Sequence, residues 1–354
     1  MTLVDGGRGW WLLDWALVLA AAVLASVLFG LLQVPSPALF GALVAGLGRA
    51  LAHPGRLAVP RLTGTGAQAV IGVSIGGLVQ IGTLRTLGEH WVSVLAVTVA
   101  TLLVSLLAGQ VMRLHPDISA VTGAFALIAG GAAGVTAMAR DLGADERVVA
   151  VLQYLRVLVV LIAMPVVATA VYGASAGGGA GDPDGAGWPA GLLFTAVSGV
   201  VGVALGRLAR IPVGMLLGPM AVAAALDLTG LSVGAAVPAL VESAAFLAIG
   251  LQVGLSFTRD SLRMVGRALP LALTLIIGVV VACAGLGAVL VATAGVTPLE
   301  GYLATTPGGI YAVLATATGS GADATFVLAV QVLRLFVMLF TAPLLARLLR
   351  PQAD

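Results

Sequence analysis

The chain has 354 residues, 60% of them hydrophobic and 9% charged, with a mean hydropathy of +1.13. A water-soluble domain carries about 25% charged residues, so a soluble enzyme, a disordered tail and a fibrous protein are excluded. The net charge is +2, and all 17 basic residues are arginine. With no polar domain or basic helix to direct that excess at nucleic acid, it reads as cytoplasmic loop charge on a polytopic membrane protein.

In chain order, the first half offers six apolar segments: a (about 10–29), b (34–50), c (60–80), d (88–112), e (117–140) and f (145–172). Segment a resembles the apolar run of a signal peptide, but a matching segment deep in the chain marks it as a retained span. A Gly-rich linker at 173–187, holding Asp182 and Asp184, separates the halves. The second half repeats the series as a′ (188–207), b′ (212–229), c′ (235–257), d′ (266–293), e′ (297–318) and f′ (323–347). The domain organisation is therefore a membrane repeat over 1–172, the linker, and a second repeat over 188–354. A span needs about 20 apolar residues; b and b′ are short, and Gly-rich stretches interrupt e and e′.

The duplication is visible residue by residue. A shift of 178 lays 143–168 on 321–346 with eleven identities in 26 positions. These include Asp145 on Asp323, Gln153 on Gln331, Arg156 on Arg334 and Pro165 on Pro343. Gly130-Gly131 falls on Gly308-Gly309, and Leu84-Arg85 on Leu262-Arg263.

Loop arginines mark the cytoplasmic side. They cluster in the b–c, d–e, e–f, a′–b′ and c′–d′ loops and at the C-terminus, with Arg85 the exception. The pattern closes if a, b, c, d and f each cross once while e enters and leaves on one side. Five crossings is an odd number, so the two halves have opposite orientation; the expected fold is all-α and integral to the membrane. It comprises two inverted repeats, each of five transmembrane helices plus one re-entrant or broken hairpin. Both termini are then cytoplasmic, the linker lies outside, and the setting is a bacterial plasma membrane. Inverted repeats of this kind generate inward-open and outward-open states by exchanging the shapes of their halves.

Candidate site residues follow from polar or helix-breaking groups at membrane depth. Gly130, Gly131 and Gly134 in e, and Pro307, Gly308 and Gly309 in e′, either expose backbone amides to a solute or serve close helix packing. Arg156 and Arg334 lie eleven residues beyond Asp145 and Asp323, about 16 Å along a helix and near the bilayer centre. Each either recognises an anionic solute or caps carbonyls freed by the neighbouring break. Gln153 and Gln331, three residues earlier on the same face, share whichever role holds. Asp145 and Asp323 are ion-coupling candidates or helix N-caps. Glu242 in c′ has Gly64 as its shifted counterpart, so the repeat does not demand it. The single cysteine, Cys283, and the scattered His53, His90 and His115 form no metal or catalytic cluster. No cofactor is expected.

The motifs Ile-Pro-x-Gly-x-Leu-Leu-Gly-Pro-Met at 211–220, Thr-Thr-Pro-Gly-Gly-Ile at 305–310 and Gly-Ala-Asp…Val-Gln-Val-Leu-Arg at 321–334 resemble those of the AbrB-duplication membrane family over nearly the whole chain. The first half departs from the pattern, with Ala129 where the second has Pro307. The resemblance implies one of the roles attached to that family: ammonia monooxygenase, regulator of gene expression, or transporter. Oxidation of ammonia needs a metal cluster that this sequence does not offer, and no DNA-reading module is present. The layout is also similar to sodium–glutamate and 2-hydroxycarboxylate symporters, whose paired hairpins move as an elevator. The expected function is secondary transport of a small, anionic solute, without enzymatic activity, in partnership with the bilayer and with a coupling cation or proton. No nucleotide-binding loop points to an ATP-driven pump, and nucleic acid is not an expected partner. The alternative is a membrane-embedded sensor or regulatory protein. A homodimer is compatible with a sequence that does not fix the oligomeric state.

Overall fold

The computed structural model describes residues 5–52, 57–115, 118–128, 143–175, 187–210, 213–257 and 268–349. Among these the chain is helical, without strands. In the first half the helices are α1 (Asp5–Leu31), α2 (Pro37–Ala52), α3 (Arg61–Gly76), α4 (Ile81–Glu89), α5 (Trp91–Met112), α6 (Ala120–Leu127) and α7 (Glu146–Ala170). In the second they are α8 (Gly187–Ala209), α9 (Gly214–Leu228), α10 (Ala239–Leu255), α11 (Leu269–Ala294), α12 (Pro298–Thr305), α13 (Ile310–Ser320) and α14 (Ala324–Leu349).

Five of these are long and apolar enough to cross a membrane: α1 (from Trp11), α5, α7, α8 and α11. Shorter apolar helices include α2, α9 and α10. The described segments match the sequence reading closely, with one addition, the helix α4. Segment e′ is broken into α12 and α13 at the expected Gly-rich stretch, and α4 fills the connection between c and d. The tip residues Gly130, Gly131 and Gly134 lie outside the described residues.

The helices sort into two compact units that cut across the sequence repeats. The first holds α1–α3 with α8–α10; the second holds α4–α7 with α11, α12, α14 and α13 up to Ala317.

In the first unit, pairs of contacts fix helix directions. Arg49 Nε and Nη2 donate to Asp14 at 3.1 and 2.5 Å, joining the start of α1 to the end of α2, while Gly41 lies against Ser26. Thus α1 and α2 run antiparallel. Gly202 meets Pro219 and Gly206 meets Gly214, so α8 and α9 are antiparallel as well. Across the repeats, Gly250 lies on the Leu39 carbonyl and Gly254 on that of Leu43; numbers rise together, and α2 runs parallel to α10. Gly72 on Leu216 and Gly76 on Met220 make α3 parallel to α9. Finally, Ser74 Oγ donates to Glu242 Oε1 at 2.5 Å and Gln252 sits over Gly64, so α3 and α10 are antiparallel. Bare glycine faces let these backbones touch, which is how helices gain contact where lipid offers no hydrophobic drive.

In the second unit α5 and α11 are antiparallel. Val94 and Val97 cluster with Leu290, whereas Met112 clusters with Ala272 and Ile276. Each long helix also grips a short one through a glycine pair, Gly109 with Gly123 (α5–α6) and Gly287 with Gly301 (α11–α12).

Candidate functional site

The second unit contains two copies of one polar device, related by the sequence shift of 178. Each begins with a capped short helix. Ser119 Oγ accepts from Thr122 N at 3.2 Å to start α6. At the matching place, Thr297 and Glu300 form a reciprocal capping box that starts α12. Each segment then returns to its own starting end. The amide of Asp145 donates to Thr122 Oγ1 at 3.0 Å, and that of Asp323 donates to Glu300 Oε1 at 2.9 Å. The start of α7 thus lies beside the start of α6, and the start of α14 beside that of α12.

Asp145 and Asp323 act as N-caps. Asp145 Oδ1 accepts from the amides of Arg147 and Val148 at 2.9 and 3.3 Å, and Asp323 Oδ1 accepts from Phe326 N at 2.9 Å. Thr83 of α4 donates to Asp323 Oδ2 at 2.5 Å, so this carboxylate is occupied at both oxygens. Of the two sequence alternatives, these bonds supply the capping one.

Where α6 and α12 stop, four residues meet their last carbonyls. Gln153 Nε2 donates to the carbonyls of Phe125 and Ile128 at 2.7 and 2.9 Å, and Arg156 Nη1 to that of Leu127 at 2.9 Å. Arg156 Nη2 donates to Gln153 Oε1 at 2.8 Å. In the second copy Gln331 Nε2 donates to Leu303 O and Thr306 O at 2.8 and 3.1 Å. Arg334 Nη1 donates to Thr305 O and Thr306 O, both at 3.1 Å, and its Nη2 to Gln331 Oε1. All four side chains are buried: Gln153 0%, Arg156 2%, Gln331 1% and Arg334 5% exposed.

The reason for this arrangement is chemical. A helix end leaves carbonyls without intrahelical donors, and in a lipid-embedded fold no water supplies them. The acceptor Leu303 O would ordinarily take the amide four residues on, but that residue is Pro307, which has none. Gln331 supplies the missing donor. A guanidinium beside the negative end of the short helix is also favourably placed for its dipole.

The other candidates sit at the break itself. Thr306 is extended (φ −57°, ψ 128°), and Pro307, Gly308 and Gly309 lead into α13. A Cβ on Gly308 would stand 2.8 Å from Val160 Cγ1, and one on Gly309 would stand 3.8 Å from Val157 Cγ1. The second tip thus rests on α7, the helix of Arg156. Sequence reasoning missed the roles of Thr122, Glu300 and Thr83, for which the only signal was their place three residues after a cap or within a short amphipathic run.

A helical, duplicated protein with two interrupted helices braced by buried Gln–Arg pairs is an integral membrane protein in kind. The comparisons place it more closely. The family model described as transition state regulatory protein AbrB matches residues 38–350. The chain is 35% identical over 344 residues to "Putative regulator AbrB" of Escherichia coli (strain K12), covering 96% of this chain and 98% of that protein. It is 26% identical over 304 residues to "Uncharacterized protein YhjN" of Bacillus subtilis (strain 168), covering 80% and 77%. The chain belongs to the AbrB-duplication family.

Proposed function

We propose that the protein is a secondary transporter of a small anionic solute, working by alternating access in a bacterial plasma membrane. In this reading it has no enzymatic activity. An elevator-type motion, driven by a coupling cation or proton, carries the solute across.

The observation that carries the reading is the pair of hairpins, each returning to its own end and each braced at its inner carbonyls by a buried glutamine and arginine. Eight residues of α12 reach about 12 Å, which brings the break toward the middle of a hydrocarbon core about 30 Å thick. Helical backbone is interrupted at such depth only where protein or a watery cavity serves its polar groups. Two cationic side chains there, neither bonded to a carboxylate among the described residues, favour an anion.

Helix directions support the inverted arrangement. With α2 antiparallel to α1 and parallel to α10, and α3 antiparallel to α10, the set α1–α3 runs opposite to α8–α10. The antiparallel α5 and α11 repeat the relation in the second unit. Taken with the loop arginines, this reading puts both termini in the cytoplasm and the linker outside.

Uptake of radiolabelled carboxylates, amino acids and phosphate into proteoliposomes tests the proposal. Accumulation of none of them above protein-free vesicles refutes it. The names of the family model and of the E. coli relative favour a second reading, a membrane-embedded regulator of gene expression. Altered transcription on deletion, with no uptake by the purified protein, selects that one.

A further inference from the structure

The antiparallel crossing of α3 and α10 has two ends that the shift of 178 exchanges, since it carries Gly64 onto Glu242 and Ser74 onto Gln252. At one end the Gln252 side chain covers Gly64, with its Oε1 2.6 Å from the place a Cβ there would take. At the other, Ser74 Oγ donates to Glu242 Oε1 at 2.5 Å. A glycine and a neutral amide close the first end, so packing does not call for an acid at the second.

No cation pairs with this carboxylate among the described residues. Helix α10 packs on α2 and α3 and holds no other ionisable residue. The one ionisable side chain of α2 is Arg49, bonded to Asp14 of α1. That of α3 is Arg61, in the first turn, at the opposite end of the helix from Ser74. Helix α8 meets the residues before α10, Gly191 lying against Ala236 and Pro238, but its one charge, Arg207, is in its last turn. Asp227, near the end of α9, accepts from Ser232 Oγ at 2.7 Å. Glu242 Oε2 accepts no hydrogen bond among the described residues.

An unpaired carboxylate in a membrane-embedded helix crossing is costly, and acids so placed mark ion or proton pathways. One carboxylate and one hydroxyl are too few oxygens for a calcium or magnesium ion, which takes about six. A proton needs a single free oxygen. Ser74 and Glu242 are both half-buried, so neither is sealed inside the unit.

We propose that Glu242 is a proton-binding site, Oε2 exchanging a proton with water while Ser74 holds Oε1. The proton passes from hydronium to a lone pair of Oε2, leaving water and a neutral carboxylic acid, and the reverse step returns it. Under the transporter reading, on which this extension rests, it is the coupling proton and enters from the outer face, where that topology puts the start of α10. Asp145 and Asp323, the other acids considered for coupling, are taken up by backbone amides.

Infrared difference spectra of the purified full chain test the site. Exposed carboxylates stay ionised between about pH 6 and about pH 8, so a carboxylic-acid carbonyl band that grows at the lower pH should belong to Glu242. It should be absent from Glu242→Gln and displaced in Ser74→Ala, which removes the hydrogen bond to Oε1. An acid serving only packing or the dipole of α10 gives no such band. If Glu242→Gln does not fold, the displacement in Ser74→Ala decides. Absence of a titrating band, or a band unmoved by these substitutions, overturns the proposal. In proteoliposomes, one proton per solute lets a gradient of about one pH unit support about tenfold accumulation, and Glu242→Gln should show none. Accumulation that follows a sodium gradient instead, or is unchanged in Glu242→Gln, overturns the coupling. A titrating band without uptake of any solute keeps the proton site and removes the transporter reading; uptake without the band does the reverse.

Discussion

Replacing Gln331 with leucine tests why a glutamine is buried beside a broken helix. The side chains are similar in volume, so packing changes little, but three hydrogen bonds disappear: two donated to Leu303 O and Thr306 O, and one accepted from Arg334. Thr306 O keeps Arg334 Nη1 as a donor at 3.1 Å, whereas Leu303 O loses its side-chain donor and has Pro307 where the next helical amide would be. An orphaned carbonyl costs about 1–3 kcal/mol and a hydrogen bond to a charged group about 1.5–3 kcal/mol, so the expected loss is roughly 3–5 kcal/mol. Reversible unfolding in mixed micelles measures it. The sharper reading is a double-mutant cycle with Pro307→Ala, which restores an amide able to serve Leu303 O. In that background Gln331→Leu should cost about 1 kcal/mol less, since residues sharing a partner do not add. Strict additivity, or a loss below about 1 kcal/mol for the single change, would refute the account of Gln331 as the substitute donor.

Three further outcomes are expected. Gly72→Leu drives a side chain into the Leu216 carbonyl on α9, so folded protein should fall sharply in size-exclusion profiles, whereas Gly82→Ala, with open space around it, should be tolerated. Cysteines placed at Ser175 and after the C-terminal residue should be labelled from opposite faces of intact cells, and labelling of both from one face would remove the inverted repeat. Asp323→Asn should keep most of its capping and cost about 1 kcal/mol or less, with uptake retained. Lost uptake in a protein of native stability would return Asp323 to the role of coupling-ion ligand.

The segment plan was legible because hydropathy and repetition both survive in the side chains: eleven of the segments contain described helices close to their expected bounds, and Thr-Pro-Gly-Gly marked the break in e′. The division into two units was not legible, because it depends on which glycine faces meet. Gly72 and Gly76 choose α9, and Gly250 and Gly254 choose α2, each from the other half, and nothing in spacing along one helix names its partner. Helix α4 was missed for a different reason. Its nine residues are too few to read as a span, and Arg85 within it looked like a loop charge out of place; Thr83, two residues earlier, tethers it to the Asp323 cap. For the arginines, spacing set their depth but left open whether they faced solute or backbone. The carbonyl bonds answer for one edge of each side chain.

The deeper regularity is that duplication preserved the brace and relaxed what surrounds it. The bonds from glutamine to the third-last and capping carbonyls recur across the shift of 178, as does the amide that ties each hairpin to its own start. Around them, Thr122 has Glu300 as its counterpart and Ala129 has Pro307, and only the second copy closes a reciprocal capping box among the described residues. A brace must be kept because an interrupted helix without it leaves carbonyls unpaired in a medium that cannot solvate them. A solute ligand is under no such symmetric demand, since one anion held between two hairpins needs only one well-placed cation.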